Sequence, residues 1–152
     1  MYILLVSIII LNLIAYYIPK QLTRLEMYVT SLFAVYLACE VDVYLNLRHQ
    51  LYGYFSPGPD YRTLLIFFGL YPAFNIIYLN LYPAQAKRWT KVLYILLMSV
   101  LSTALEWVYT QKYGFFYHNG WTLFYSLLAY PVLLLVLLLH CRLIRKFFHT
   151  RS

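Results

Sequence analysis

The sequence predicts an all-α integral membrane protein, a bundle of five transmembrane helices that forms a single domain over residues 1–152. Its composition is 63% hydrophobic and 11% charged, whereas soluble domains carry roughly 45–50% apolar and about 25% charged residues. Several uncharged runs approach the ~20 residues that an α-helix needs to cross a membrane. The short alternating segments of a membrane β-barrel are not seen, so helices are expected to satisfy the peptide groups of these runs.

The first two spans differ in their charge. The first, residues 1–19, has no charged side chain. It lacks the basic start and small-residue cleavage site of a secretory signal peptide, so we expect it to be a membrane anchor. The second span, residues 27–47, carries Glu40 and Asp42 in its last third. Two residues apart on a helix, these carboxylates project to nearly opposite faces and are not expected to line the same surface.

The remaining three spans are residues 63–83, 92–111 and 122–140. The third contains Pro72 near its centre, where we expect a kink because proline removes a backbone hydrogen bond. The fourth is interrupted by a single charged residue, Glu106, and the fifth again contains a central proline.

Basic residues predict the orientation of the bundle. Nine of the twelve Lys and Arg follow spans one, three or five, and three lie on the opposite side. Because cytoplasmic segments are enriched in Lys and Arg, we expect a multi-pass protein of the bacterial inner membrane with its N-terminus outside and its C-terminus in the cytoplasm. The same distribution accounts for the net charge of +7, and no nucleic-acid partner is predicted. The nine are Lys20, Arg24, Lys87, Arg88, Lys91, Arg142, Arg145, Lys146 and Arg151.

A weak repeat of about sixty residues relates spans 2–3 to spans 4–5. Residues 50–55 and 111–116 share a Gln-x-Tyr-Gly-aromatic-Phe pattern, and each copy is followed by a Thr-Leu pair and then by a Tyr-Pro pair, at Tyr71 and Tyr130. Both pairs of spans enter the membrane from the same side. The pattern therefore predicts parallel repeats related by an axis along the membrane normal.

The carboxylates inside the spans allow two interpretations. Asp42 and Glu106 occupy equivalent places in the two copies and are expected to converge beneath the outer aromatic loops. An ionisable residue inside a span costs about 2.5–3.5 kcal/mol, so it is a functional candidate, and a buried acid suits proton donation or exchange. Alternatively, each carboxylate accepts hydrogen bonds from tyrosines or pairs with a basic residue and holds the helices together.

The candidate ligand-binding residues are the carboxylates and the polar or aromatic residues predicted near them. No catalytic residue is assigned, and neither a metal nor a cofactor is predicted because the His and Cys spacing matches no metal motif. Other tyrosines near the span ends, including Tyr52 and Tyr54, are interpreted as an aromatic belt at the membrane interface. The candidates are Glu40, Asp42, Glu106, Tyr44, Tyr109, Tyr71, Tyr130, Gln50, Gln111, His49 and His118.

Two resemblances follow from these segments. The first resemblance rests on residues 41–55, 57–60, 106–107, 114–117, 119–121 and 130–131. In these segments the chain is similar to a family of small, uncharacterised integral membrane proteins of spore-forming Firmicutes. This match covers roughly residues 25–145 and implies no activity.

The second, fainter resemblance is to membrane-embedded lycopene cyclase domains. Glu106 stands eight residues before Gly114-Phe115, and Pro131 follows at a comparable distance. The chain lacks the Glu pair that follows the proline in that family. The resemblance implies a shared scaffold rather than shared chemistry.

Three functions remain open. The leading one is a non-catalytic protein that binds a lipid or isoprenoid-like ligand, or a partner membrane protein or second copy, in a crevice near the outer leaflet. The alternative is an isoprenoid cyclase or isomerase that uses the intramembrane carboxylates, and the third is a proton or cation path. Membrane lipids are expected as surroundings in every case.

Overall fold

The computed structural model describes residues 2–149 except residues 57 and 59. Met1 and Arg151, which belong to the predicted first span and basic tail, lie outside the described residues. The fold is mostly helical, and two short strands are added to the predicted helices. The helices are α1 (Tyr2–Tyr17), α2 (Arg24–Asp42), α3 (Thr63–Leu65), α4 (Tyr71–Leu81), α5 (Arg88–Gln111) and α6 (Leu123–His149); π-helical segments Val43–Arg48 and Ile66–Leu70 extend α2 and join α3 to α4.

Among the residues that the structure describes, four continuous helices are long and apolar enough to cross a membrane. They are Arg24–Arg48, Thr63–Leu81, Arg88–Gln111 and Leu123–Phe148. The predicted first span forms the shorter helix α1, whose 16 residues extend only about 24 Å at ~1.5 Å per residue. Many large apolar side chains on the outer faces are exposed; Leu93, for example, is 66% exposed.

Helix α1 lies alongside the helix Thr63–Leu81 and runs in the same direction. Near its middle, the Asn12 amide nitrogen donates to the carbonyl of Gly69 at 2.9 Å. After α1 ends, the backbone N–H groups of Gln21 and Leu22 donate to the side-chain oxygen of Asn80 at 2.7 and 3.0 Å. Successive contacts along both helices therefore place the start of α1 at the end of the bundle opposite Asn80.

A two-stranded antiparallel ribbon lies at the end of the bundle where the chain begins. Strand β1 (Tyr52–Tyr54) pairs with β2 (Phe116–His118), and Gly53 lies opposite Tyr117. A Cβ on Gly53 would lie only 2.3 Å from the Tyr117 hydroxyl. Any larger residue at position 53 would therefore displace the tyrosine ring that covers this backbone.

The structure does not support the internal repeat. Gly53 lies in a buried strand, whereas its counterpart Gly114 lies in an exposed turn with φ of +61°. Tyr71 begins α4 after a π-helical segment, whereas Tyr130 lies within the continuous helix α6. Equivalent positions in the two copies therefore have different local structures. The first Tyr-Gly pair lies in strand β1, but its strand partner is residues 116–118, which follow the second Tyr-Gly pair.

The two prolines also behave differently. Pro72 lies at the start of α4, directly after the π-helical segment, so the missing N–H falls where the hydrogen-bond pattern already changes. Pro131 remains inside α6.

The opposite end of the bundle contains an ion pair between a buried glutamate and a half-buried arginine. Thr23 and Glu26 form a capping box at the start of α2, and Glu26 is only 3% exposed. Arg145, near the end of α6, donates from Nε to Glu26 Oε1 at 3.1 Å and also donates to the carbonyl of Gln21. This cluster therefore joins the start of α2 to the end of α6.

Candidate functional site

An elongated cavity of about 240 Å³ lies between the helices and is partly open to the outside. Along α2 and its π-helical extension, the lining residues run from Ala34 to Leu45, which corresponds to about 16 Å at ~1.5 Å per residue. Most of the lining is apolar. The polar lining includes Asp42, Asn75, Glu106, Ser126 and several tyrosines.

Asp42 is the last residue of α2 and is 6% exposed. Its Oδ1 accepts hydrogen bonds from the hydroxyls of Tyr52 at 2.5 Å and Tyr54 at 3.3 Å. The Tyr54 hydroxyl also lies 2.9 Å from the hydroxyl of Tyr71. The second carboxylate oxygen, Oδ2, is buried and has no hydrogen-bond partner.

The ribbon explains how both tyrosines reach the same carboxylate. Residues two apart on a strand project to the same face, so Tyr52 and Tyr54 point together while Gly53 faces the covering ring of Tyr117. Burial, and then the charge of nearby Asp42, raises the pKa of Tyr52, and burial above all raises the pKa of Tyr54. Both hydroxyls therefore keep their protons and remain available as donors.

Glu106, on α5, is 6% exposed and has partners on both oxygens. Its Oε1 accepts from the Ser126 hydroxyl at 2.7 Å and lies 2.9 Å from His118 Nε2. Its Oε2 accepts from the Tyr130 hydroxyl at 2.6 Å. Trp121 completes the network by donating from Nε1 to Ser126 Oγ at 2.8 Å.

The two carboxylates of the cavity therefore differ. The Glu106 carboxylate has partners from α6 and from the ribbon, as expected of a buried polar group that holds elements together. Asp42 is satisfied on one oxygen only. A buried acceptor without a hydrogen bond keeps the full free-energy cost of its desolvation. Oδ2 of Asp42 is therefore the atom of this site at which a bound ligand would gain most from donating a hydrogen bond.

A second free acceptor lies deeper in the cavity. Asn75 is fully buried, and its side-chain nitrogen donates to Thr30 Oγ1 at 3.1 Å while Oδ1 has no partner. The Thr30 hydroxyl already donates to the carbonyl of Glu26 at 2.8 Å, so it must accept from Asn75. This hydrogen-bond order fixes which end of the amide is the nitrogen.

The structure brings together about half of the predicted site residues. Five of them line the cavity, and His118 contacts Glu106 from the ribbon. Asp42 and Glu106, which the sequence predicts to converge, both line this cavity. The five are Asp42, Glu106, Tyr71, Tyr109 and Tyr130.

The other five predicted residues lie away from the cavity. Glu40 is on another face of α2, beside exposed Tyr36, because two residues turn a helix by about 200°. Tyr44 is 55% exposed on the π-helical segment. The remaining three, Gln50, Gln111 and His49, are exposed where elements end, and the backbone oxygen of Gln50 accepts from Asn119 at 3.1 Å.

The sequence prediction omits several polar residues of the cavity, among them Tyr52, Tyr54, Asn75 and Ser126. The sequence predicts that Tyr52 and Tyr54 belong to an aromatic belt at the membrane interface. In the structure both are buried, and their hydroxyls donate to Asp42. The Tyr-Gly-Tyr alternation is typical of a strand and could have indicated two side chains on one face. Asn75 and Ser126 carried a weaker signal, since each is a small polar residue inside an apolar run.

A metal centre is not formed by the part of the chain that the structure describes. Within residues 2–149, apart from the two omitted positions, no group of three His, Cys, Asp or Glu side chains is placed to hold an ion.

No protein-family model, curated protein or solved structure matches the chain. The two sequence resemblances therefore stay predictions.

Proposed function

We propose that this protein is an integral membrane protein that binds one chain of a lipid or isoprenoid-like molecule in the cavity between its helices, without chemistry of its own. The elongated cavity carries this proposal. Its lining extends about 16 Å along α2 at ~1.5 Å per residue and is predominantly apolar, with polar groups concentrated around Asp42 and Glu106. An apolar lining with a few fixed polar groups is typical of small-molecule sites.

The outer surface supports the membrane part of the proposal. Large apolar side chains on α5 and α6, such as Leu97 at 62% and Val132 at 60%, are exposed. Contiguous apolar surface of this kind marks membrane or protein contact. The basic residues gather at the end that holds Arg145, which favours that end as cytoplasmic, so the ribbon and the polar part of the cavity would face the outer leaflet.

The enzyme and proton-path hypotheses receive less support from the same geometry. A general acid must present an oxygen to its ligand, but both oxygens of Glu106 already have partners within the protein, the hydroxyls of Ser126 and Tyr130. Partner or second-copy binding stays a prediction, because the exposed helix faces fit lipid equally well.

A cavity-filling substitution tests the proposal. Ala38 lines the cavity, whereas Ala104 lies exposed on α5 outside it. We expect Ala38→Phe to occupy the space that a chain would use and Ala104→Phe to leave it open. Native mass spectrometry of protein extracted from membranes in mild detergent measures the retained ligand.

The wild type and the Ala104→Phe protein should retain the same bound species, and the Ala38→Phe protein should lose it. If the wild type retains nothing beyond its detergent, or if Ala38→Phe retains as much as Ala104→Phe, this cavity is not a lipid site.

A further inference from the structure

The free polar atoms of the cavity are of one kind. Within the part of the chain described, two buried side-chain atoms of the lining lack a hydrogen-bond partner, Asp42 Oδ2 and Asn75 Oδ1, and both are acceptors. By contrast, the hydroxyls of Tyr52 and Tyr130 already donate to carboxylates. A bound molecule therefore meets unsatisfied acceptors rather than unsatisfied donors at these buried positions.

The two acceptors lie too far apart to bind one group. Asn75 contacts Thr30, which precedes Asp42 by twelve residues on α2; that separation is about 18 Å along the helix at ~1.5 Å per residue. Asp42 belongs to the polar end of the cavity, near the ribbon, and Asn75 to the apolar end. The polar end is therefore where the head of an amphipathic molecule would lie, with Oδ2 of Asp42 as its contact.

We propose that the ligand has a hydrogen-bond-donating head, a hydroxyl or a protonated amine, that binds Asp42 Oδ2 while its apolar chain extends along the cavity towards Asn75. This inference rests on the proposed function. It excludes ligands whose head offers acceptors only. A carboxylate or phosphate would place negative charge against Asp42 in a poorly solvated site, and an ether or ester would leave Oδ2 unpaired.

Matched probes with one chain and different heads test this inference. We would use farnesol, farnesylamine, farnesyl methyl ether and farnesoic acid with the purified protein in nanodiscs at neutral pH. Equilibrium binding to the Ala38→Phe protein, measured in parallel, gives the background from partition into the bilayer. We expect farnesol and farnesylamine to bind the wild type at least ten-fold more tightly than the ether and the acid.

Substitution of Asp42 should reverse the preference. In Asp42→Asn, the amide oxygen can still accept from Tyr52 and Tyr54, and the amide nitrogen places a donor where Oδ2 was. The ether should then gain affinity relative to the alcohol. Glu40→Gln changes a neighbouring carboxylate outside the cavity and should keep the wild-type order. If Asp42→Asn does not fold, the order of the four probes on the wild type still decides.

Different results would contradict chain binding in the cavity and the assignment of a donor head. If none of the probes binds the wild type above the Ala38→Phe background, the proposed function loses its support. If farnesoic acid or the methyl ether binds as tightly as farnesol, chain binding stands but the donor-head assignment is wrong. An unchanged probe order in a folded Asp42→Asn protein would also contradict the assignment.

Discussion

At the scale of single residues, Glu106 is a connector between elements. Its oxygens accept from Ser126 and Tyr130 of α6 and contact His118 of the ribbon. Buried polar groups of folded proteins are almost always hydrogen-bonded in this way. This arrangement matches the structural interpretation of the intramembrane carboxylate, in which an acid inside a span holds helices together.

Replacing this carboxylate should destabilise the bundle. Glu106→Gln keeps the shape but puts an NH₂ group against one of the surrounding donors, and an unmade buried hydrogen bond costs about 1–3 kcal/mol. We expect a lower unfolding temperature in detergent. Glu40→Gln is the matched control, because Glu40 is only half-buried and outside the network. Equal unfolding temperatures for the two variants would show that Glu106 does not hold the helices.

The residue types identify Asp42 and Glu106 as acids inside apolar runs, but they do not identify the side chains that hydrogen-bond to them. Asp42 and Glu106 are evident in the sequence because an ionisable side chain is costly inside an apolar run. The partner Tyr52 depends on a three-residue strand whose pairing partner begins at Phe116. Such a short pairing between distant segments leaves no periodic pattern of its own, so the aromatic-belt interpretation of Tyr52 and Tyr54 was the wrong one.

At the scale of elements, the packing of α1 depends on a close approach at Gly69. A Cβ there would lie 2.8 to 3.1 Å from three side-chain atoms of Ile8, one of them the Cγ2 methyl on its branched Cβ. A single rotamer change cannot remove all three contacts. Gly69 belongs to the π-helical segment Ile66–Leu70, so the tight contact and the irregular helix occur at the same place.

A double-mutant cycle tests this contact. Alanine has a higher helix propensity than glycine by about 1 kcal/mol, so without the contact Gly69→Ala would stabilise the protein. We expect it instead to destabilise by about 1–3 kcal/mol through overpacking. Adding Ile8→Ala should recover part of that loss, which gives a favourable coupling energy in detergent unfolding. A stabilising Gly69→Ala, or additive effects of the two changes, would contradict the contact.

The elements differ in how far the sequence predicts them. The four long helices follow from the length of uninterrupted apolar runs, and their bounds agree with the predicted spans to within several residues at most ends. The π-helical segments carry no comparable signal, because they differ from an α-helix only in which carbonyl each N–H reaches. The structure does not support the repeat for a related reason: Gly53 lies in a strand, whereas Gly114 lies outside any strand with a positive φ.

At the scale of the whole molecule, the bundle has two chemically different ends. The ribbon end holds the aromatic cluster around Tyr52 and Tyr54 and the polar part of the cavity, whereas the opposite end holds Glu26, Arg145 and other basic residues. Helix α1 begins at the first end, and α6 ends at the second. This polarity, rather than the repeat, is what would orient the protein in a membrane and present the cavity's polar end to one leaflet.

Cysteine labelling tests this orientation. Ser56 lies exposed near the ribbon, and Gln85 lies exposed in the loop between α4 and α5. In a background in which Cys39 and Cys141 are replaced by alanine, Ser56→Cys should react with a membrane-impermeant maleimide added to intact bacteria. Gln85→Cys should react only after the membrane is opened, because basic residues surround that loop and favour the cytoplasm.

The two labelling patterns separate orientation from insertion. If Gln85→Cys reacts from outside and Ser56→Cys does not, the bundle is inverted and the donor-head site faces the cytoplasmic leaflet. If both react in intact cells, the segment Thr63–Leu81 between them does not cross the membrane. In that case the cavity would not meet lipid from a single leaflet, and a soluble amphipathic ligand would be the remaining occupant for Asp42.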